Sequence, residues 1–314
     1  MHRGYMLDFA RVTEDAAIAA AHHMGHGDKN AADQAAVSAM RKRLNSLDVK
    51  GTIVIGEGER DEAPMLFIGE EVGSGEGTAD VDFAVDPLEC TNSVAYGRGY
   101  AMAVLAASPK GTLLHAPDTY MDKIAVGPAC VGKVDLDWPV AKNIEAVAKA
   151  LGKPVKDVTI VVLDRPRHDQ LIKDIRAVGA RISLISDGDV AGAIMPSMEE
   201  IGIDLLLGVG AAPEGVLAAA ALKCLGGEIQ CRFRFRNDDE RKRAIAMGIK
   251  EPDKKMLIDD LVKGNDCLFL ATGVMDGPMM QGVRFVGKTV HTETIIMRAK
   301  SGTVRIIKAV HQET

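Results

Sequence analysis

Val158-Thr159-Ile160-Val161-Val162-Leu163 is an apolar, β-branched run that leads directly into Asp164-Arg165-Pro166-Arg167-His168. A run of that length and composition reads as a buried strand. Leu171, Ile172, Ile175 and Val178 then recur at helical spacing, and Gly179 stands where a helix stops. Residues 182–185 read as a second buried strand and 203–209 as a third, before an Ala-rich helix over 214–225 with Pro213 at its start. Strands joined by helices in this way lie parallel, so the chain is α/β and ligands collect at the strands' carboxyl ends. Outward from this centre, 52–55 and 81–85 are further strands on one side, and 283–286, 290–297 and 304–310 on the other. Asn30 can cap a helix running to about Leu47, with an apolar stripe of Val37, Met40 and Leu44.

The 314 residues are 47% hydrophobic and 26% charged, enough for a globular core and one or two domains. A net charge of −6 argues against a nucleic-acid partner, whose phosphates demand a cationic surface, and 4% aromatic residues leave little for base stacking. Five cysteines with no CxxC pair read as reduced thiols of a cytoplasmic protein. Asp8, Arg11, Glu14 and Asp15 break any leader-like apolar core, and charges interrupt every apolar stretch before it could span a membrane.

Several acids stand where a core or a strand end should be. Asp33 shares the inward stripe with Val37 and Met40, as a cation ligand or as a first-turn acid facing the helix dipole. Gly56-Glu57-Gly58-Glu59-Arg60-Asp61-Glu62 follows a strand, as a cation site or a solvated acidic loop. Asp86 and Glu89 leave the strand over 81–85 three residues apart, with the Thr91 hydroxyl after them, either to hold an ion and orient a water or as an Asp-Pro turn. Glu214 opens its helix. One cleft could gather Asp33, Glu57, Asp86, Glu89 and Glu214, and a set of oxygen donors favours Mg²⁺ or Mn²⁺ over zinc.

Basic groups supply the counterpart. Arg165 and Arg167 beside a helix N-terminus read as an anion site or as a surface ion-pair cluster. Asp187-Gly188-Asp189 suits sugar hydroxyls, and the glycines of Gly208-Val209-Gly210-Ala211-Ala212-Pro213-Glu214 would let backbone amides approach a ligand. That last stretch imitates a dinucleotide fingerprint, but Pro213 replaces its third glycine. No CX₅R, GxSxG or Walker A motif is present. An acid cluster and an anion cradle on one chain point to metal-assisted phosphoryl chemistry.

Gly27-Asp28-Lys29-Asn30-Ala31-Ala32-Asp33, the 55–66 stretch around Glu57, Val85-Asp86-Pro87-Leu88-Glu89-Cys90-Thr91-Asn92, Asp164–His168, Ile185–Asp189 and Ala212-Pro213-Glu214-Gly215 together resemble class II, GlpX-type, fructose-1,6-bisphosphatase. The likeness runs in order along essentially the whole chain. It implies the lithium-sensitive sugar-phosphatase (inositol monophosphatase-like) fold, a five-layer αβαβα sandwich. It also implies one catalytic unit over 1–314, with 1–150 mainly metal-binding and 151–314 mainly sugar-phosphate-binding.

Matched position by position, the resemblance makes Asp33, Glu57, Asp86, Glu89 and Glu214 metal ligands for Mn²⁺ or Mg²⁺, and Asp61, Thr91 and Lys29 catalytic. Glu89, Cys90, Thr91, Tyr120, Arg165, Pro166, Arg167, Asp187, Gly188, Asp189 and Ala211 match substrate-contacting positions. The implied reaction is hydrolysis of fructose 1,6-bisphosphate to fructose 6-phosphate and phosphate, as in gluconeogenesis, by a homo-oligomer (dimer or tetramer). Action on sedoheptulose 1,7-bisphosphate as well is the nearest alternative, and a nucleotide-binding regulatory protein without phosphatase activity is the alternative of another class. The chain departs from the family pattern at Cys90 and Ala211, where glycine is usual.

Overall fold

The structure is a computed structural model that describes residues 4–58, 65–77 and 79–312. Packing divides the chain into one unit of Met1–Leu113 with Asn265–Thr314 and a second of Leu114–Gly264. The border drawn at residue 150 from sequence falls inside the second unit, and the C-terminal strands belong with the N-terminal ones.

The chain begins with α1 (Tyr5–Ala21) and α2 (Lys29–Leu44), then β1 (Lys50–Ile55), β2 (Glu71–Val72), β3 (Asp80–Glu89), α3 (Thr91–Ala95) and β4 (Met102–Pro109). The second unit follows as β5 (Tyr120–Val126), α4 (Val140–Leu151), β6 (Thr159–Leu163), α5 (Asp169–Val178), β7 (Arg181–Ile185), α6 (Asp189–Ile194), β8 (Leu205–Ala211), α7 (Ala212–Leu225), β9 (Glu228–Arg234), α8 (Asp238–Ala246) and α9 (Ile258–Leu261). The first unit is completed by β10 (Leu268–Gly273), β11 (Arg284–Val286), β12 (Thr289–Arg298) and β13 (Thr303–Gln312). The α/β class therefore stands, as two multistranded sheets with helices, in keeping with the sugar-phosphatase fold.

In the first unit the sheet runs β11-β12-β10-β4-β3-β1-β2, with β13 also on β12. The alanines of α1 (Ala10, Ala16, Ala17, Ala20) are buried and let that helix lie close to the sheet, where Phe9 meets Phe83 edge-on at 5.3 Å between centroids. Asp28 caps α2, accepting from the Ala31 N–H, so the cap lies two residues before the Asn30 expected from sequence.

In the second unit the order is β7-β6-β8-β5-β9, with β6 parallel to both β7 and β8 as expected. Ile124 and Val126 on one face of β5 join a core with Ile144, Val147, Ile172 and Ile175 of α4 and α5. The sequence reads residues 182–185 as a buried strand. β7 is instead the sheet's edge, and Leu184 is exposed. An apolar run shows that a strand forms, but not how many neighbours it acquires.

None of the five cysteines forms a disulfide, and all are buried. Among the described residues no helix is long and apolar enough to cross a membrane.

Candidate active site

In the first unit, Asp33 lies half-buried on the second turn of α2 and Glu57 just after β1. Gly56 lets a backbone approach, as its sequence context suggested, but the backbone is the chain's own: a Cβ there would fall 2.0 Å from the Leu66 carbonyl oxygen, which accepts from the Glu57 N–H at 3.0 Å. Burial pushes the Glu57 carboxyl up to about 7, and the neighbouring Asp33 charge adds to the rise. Burial also raises Asp33, with the Thr91 hydroxyl acting against it. Two desolvated carboxylates and a hydroxyl therefore meet here.

Asp86 and Glu89 do not leave the strand. β3 continues through Pro87 to Glu89, with its register to β4 slipping between the two acids. This replaces the Asp-Pro turn expected from sequence. The strand tolerates Pro87 because β1 pairs β3 only as far as Ala84 and the ladder to β4 is broken at that point. The Asp86 carboxylate accepts from the Leu88 N–H at 3.1 Å, Glu89 is buried, and the Thr91 hydroxyl donates to the Leu88 carbonyl at 3.1 Å. Lys29 is exposed at the start of α2, and Asp61 lies outside the described residues.

Among the described residues, no three His, Cys, Asp or Glu side chains form a group that could hold a metal ion. The donor chemistry nevertheless fits a divalent cation, because Asp33 and Glu57 are oxygen donors whose buried charges repel and which a cation would neutralise.

Cys90, between Glu89 and Thr91, has φ +69° and ψ +47°. A side chain costs about 1–2 kcal/mol in that left-handed conformation, offset in part by glycine's greater freedom in the unfolded chain. Cys90→Gly is therefore expected to raise the unfolding free energy by about 0.5–1 kcal/mol in urea titrations. A fall would mean that packing of the buried thiol outweighs the strain.

In the second unit, parallel pairing brings the loops after β6, β7 and β8 to one end of the sheet. β5 starts at that end and β9 finishes there, since Tyr120 pairs with Ala211 on one side and Arg234 on the other. Arg165, Arg167, Asp187, Asp189, Ala211, Glu214 and Tyr120 thus share one rim.

Several of them also meet partners within the protein. Arg165 is ion-paired with Asp187. Asp189 is buried and bonds the Lys123 ammonium at 2.6 Å. The two acids expected to read sugar hydroxyls are thus each engaged with a cation of the protein. Gly208 and Gly210 have an internal use too. A Cβ on Gly210 would lie 1.6 Å from the Asp189 carboxylate, and one on Gly208 would lie 3.0 Å from the His168 ring. The glycines make room for the protein's own side chains, which removes the reason to read them as a dinucleotide cradle.

His168 is 1% exposed and joins two strand ends. Its Nδ1 donates to the Leu163 carbonyl and its Nε2 accepts from the Val209 N–H, each at 2.7 Å. The bond from Val209 needs the neutral ring, because a protonated Nε2 cannot accept, and burial, with Arg167 and Arg234 nearby, lowers the His168 pKa against the bond to Leu163, which raises it. A lowered folded value means that the unfolded chain binds more protons as pH falls below about 6.5. The neutral ring's contribution to stability is present above 6.5 and is lost on acidification, at no more than about 1.4 kcal/mol per pH unit. His168→Gln is expected to flatten that part of the stability–pH curve, and an unchanged slope between pH 7 and 5 would overturn this account.

The family model for bacterial, glpX-encoded fructose-1,6-bisphosphatase matches residues 3–311. The chain belongs to this family. It is 47% identical to a D-fructose 1,6-bisphosphatase class 2/sedoheptulose 1,7-bisphosphatase of Synechococcus sp. strain JA-3-3Ab, covering 98% of this chain and 95% of that protein. It is 45% identical to fructose-1,6-bisphosphatase 1 class 2 of Escherichia coli K12, covering 99% of this chain and 96% of that protein.

For a GlpX-type bisphosphatase the second unit carries two residues that the sequence did not single out, Arg236 and Lys123. Arg167 donates twice to the Val209 carbonyl, and its guanidinium stands over the Tyr120 ring at 5.0 Å. Arg236 stands over the same ring at 5.2 Å. The alternation Arg232-Phe233-Arg234-Phe235-Arg236 was the available signal, a strand with one basic face. Lys123 gave none, since nothing local says that a lysine in a strand is buried.

Proposed function

We propose that this chain hydrolyses the 1-phosphate of fructose 1,6-bisphosphate, yielding fructose 6-phosphate and phosphate. The family match over residues 3–311 carries the reading. The rim of unit two, where Arg167 and Tyr120 meet the loops after β6 and β8, supports it. Asp33, Glu57, Asp86 and Glu89 are the proposed holders of Mn²⁺ or Mg²⁺, and Glu214 is proposed for the same role. A divalent ion, when bound, supplies charge neutralisation at the phosphoryl oxygens and acidifies a water.

Thr91 and Asp61 are assigned to orienting that water and taking its proton. The in-line attack expels the C1 oxygen without a covalent enzyme intermediate. The Glu89–Thr91 segment, Tyr120, Arg165–Arg167, Asp187–Asp189 and Ala211 are assigned to substrate, with Lys29 near the reacting phosphate. Arg167 is the better anchor for the distal phosphate, because Arg165 is already matched by Asp187 while Arg167, among the described residues, is hydrogen-bonded only to a neutral carbonyl. Anchoring the far end positions the reacting one.

The test is phosphate release with Mn²⁺, Mg²⁺ or chelator, beside Glu89→Gln. Ion-dependent release that the variant loses is expected. Folded protein that releases nothing with either ion would sink the reading. A second reading, action on sedoheptulose 1,7-bisphosphate as well, is favoured by the name of the Synechococcus relative at 47% identity, and the same assay with that sugar decides it. We further assign the chain to gluconeogenesis, to the cytoplasm, supported by the lack of disulfides among its five cysteines, and to a homo-oligomer.

A further inference from the structure

Four arginines converge on the rim of the second unit, and their neighbours differ. Arg165 pairs with Asp187, and Arg234 pairs with Asp122 at 3.1 Å. Arg167 is bonded to a carbonyl. Arg236 is held through Nε by Glu240, and Asp118 also lies within electrostatic reach.

Glu240 explains how Arg236 is fixed. It is buried, and it accepts from the Thr119 hydroxyl at 2.6 Å and from the Arg236 backbone N–H at 2.8 Å, in addition to the guanidinium. Glu240 also sits at the start of α8, where its own N–H donates to the capping Asn237 side chain at 2.9 Å. Helix capping thus accounts for Glu240 and for the tether on Nε. It does not account for the rest of the guanidinium. Its Nη groups make no hydrogen bond to any described residue, and the group stands over Tyr120 beside a second guanidinium, Arg167, fixed in the same manner by its own Nε and Nη2.

Two cations held against one aromatic ring repel each other, and an anion placed between them relieves that repulsion. Planar guanidiniums tethered from behind match the oxygens of a phosphate, and little side-chain freedom remains to be lost on binding.

We propose that Arg236 is a specificity-determining residue that, with Arg167 and Tyr120, binds the distal phosphate of the bisphosphate, the one that is not hydrolysed. The proposal rests on the phosphatase reading above. Glu240 and Thr119 are positioning residues for it.

Arg236→Gln and Arg236→Lys test this on the full chain. Arg236→Gln is expected to raise KM for fructose 1,6-bisphosphate at least tenfold and to leave kcat within twofold, because the reacting end is untouched. Fructose 6-phosphate keeps only the distal phosphate, so its inhibition constant is expected to rise by a similar factor. Arg236→Lys keeps the charge without the fork and is expected to fall between wild type and Arg236→Gln. An unchanged KM and inhibition constant overturn the proposal. So does a loss confined to kcat, or one that the lysine variant shows in full, which marks a structural role. A folded wild type that releases no phosphate overturns the activity, and the proposal with it, and is distinguishable because it appears before any substitution.

Discussion

Replacing Lys123 by methionine is expected to lower the unfolding free energy by about 3–5 kcal/mol, the cost of leaving a buried charge without its partner. Lys123 is 2% exposed, and its ammonium bonds the buried Asp189 at 2.6 Å. Burial works against the charged amine, but Asp189 and Glu214 outweigh it and raise its pKa. The adjacent Cys231 thiol is pushed up to about 12 by its own burial, so it stays protonated and leaves the ammonium to Asp189. The loss should be visible as a lower urea midpoint with an unchanged slope.

The double variant Lys123→Met/Asp189→Leu should recover most of it, since replacing both charges by apolar groups removes the unpaired one. If the double variant is as unstable as the single, the pair is not the cause. Gly210→Ala probes the same spot from the other side. Its Cβ would lie 1.6 Å from the Asp189 carboxylate, so Asp189 has to move off Lys123. Its effect should therefore be much less than additive with Lys123→Met.

Glu57→Gln is expected to move activity and stability in opposite directions. On the proposed mechanism, losing a carboxylate that helps to hold the cation should reduce phosphate release at least about a hundredfold, since a bound metal contributes several kcal/mol and each 1.36 kcal/mol is a decade. In chelated protein the same change should stabilise.

The Glu57 carboxyl is held at about 7 in the fold against 4.5 ordinarily, through burial first and Asp33 second. Between those values the unfolded chain binds fewer protons than the folded one, so stability falls as pH rises from 4.5 through 7. By pH 8 the loss approaches about 3 kcal/mol. Glutamine cannot ionise, so chelated Glu57→Gln should unfold at higher urea than chelated wild type at pH 8, and near the same urea at pH 5. Equal midpoints at pH 8 would show that the Asp33–Glu57 site is not strained without its cation.

Much of the fold was legible along the chain. The β6, α5, β8 and α7 segments were readable because a strand or helix announces itself through apolar spacing within a few residues, bounded by Gly179, Pro213 and Gly226. Asp33, Glu57, Asp86 and Glu89 were readable as acids at or near element ends, and Arg165 and Arg167 as guanidiniums after a strand. These are local facts of residue type and position, and so are the motifs that mark the family.

What each group does once folded was not local. Sequence singled out Asp187 and Asp189 but not the partners they meet, Arg165 and Lys123, 22 and 66 residues away. The glycines of Gly208-Val209-Gly210 looked suited to a ligand's approach, yet their missing side chains are filled by His168 and Asp189. Residues 182–185 were plainly a strand, but only the sheet order made them an edge. Cys90 was visible as a departure from glycine, but its positive φ follows from the way β3 ends against α3.

The residue types, their periodicity and the family membership were therefore determined by the sequence alone, because each depends on neighbours a few positions away. The burial of Lys123, the pairing of the rim acids and the sharing of Tyr120 by Arg167 and Arg236 were decided only by the tertiary structure. Desolvation and charge pairing depend on which distant segments the sheet order brings within a few ångströms.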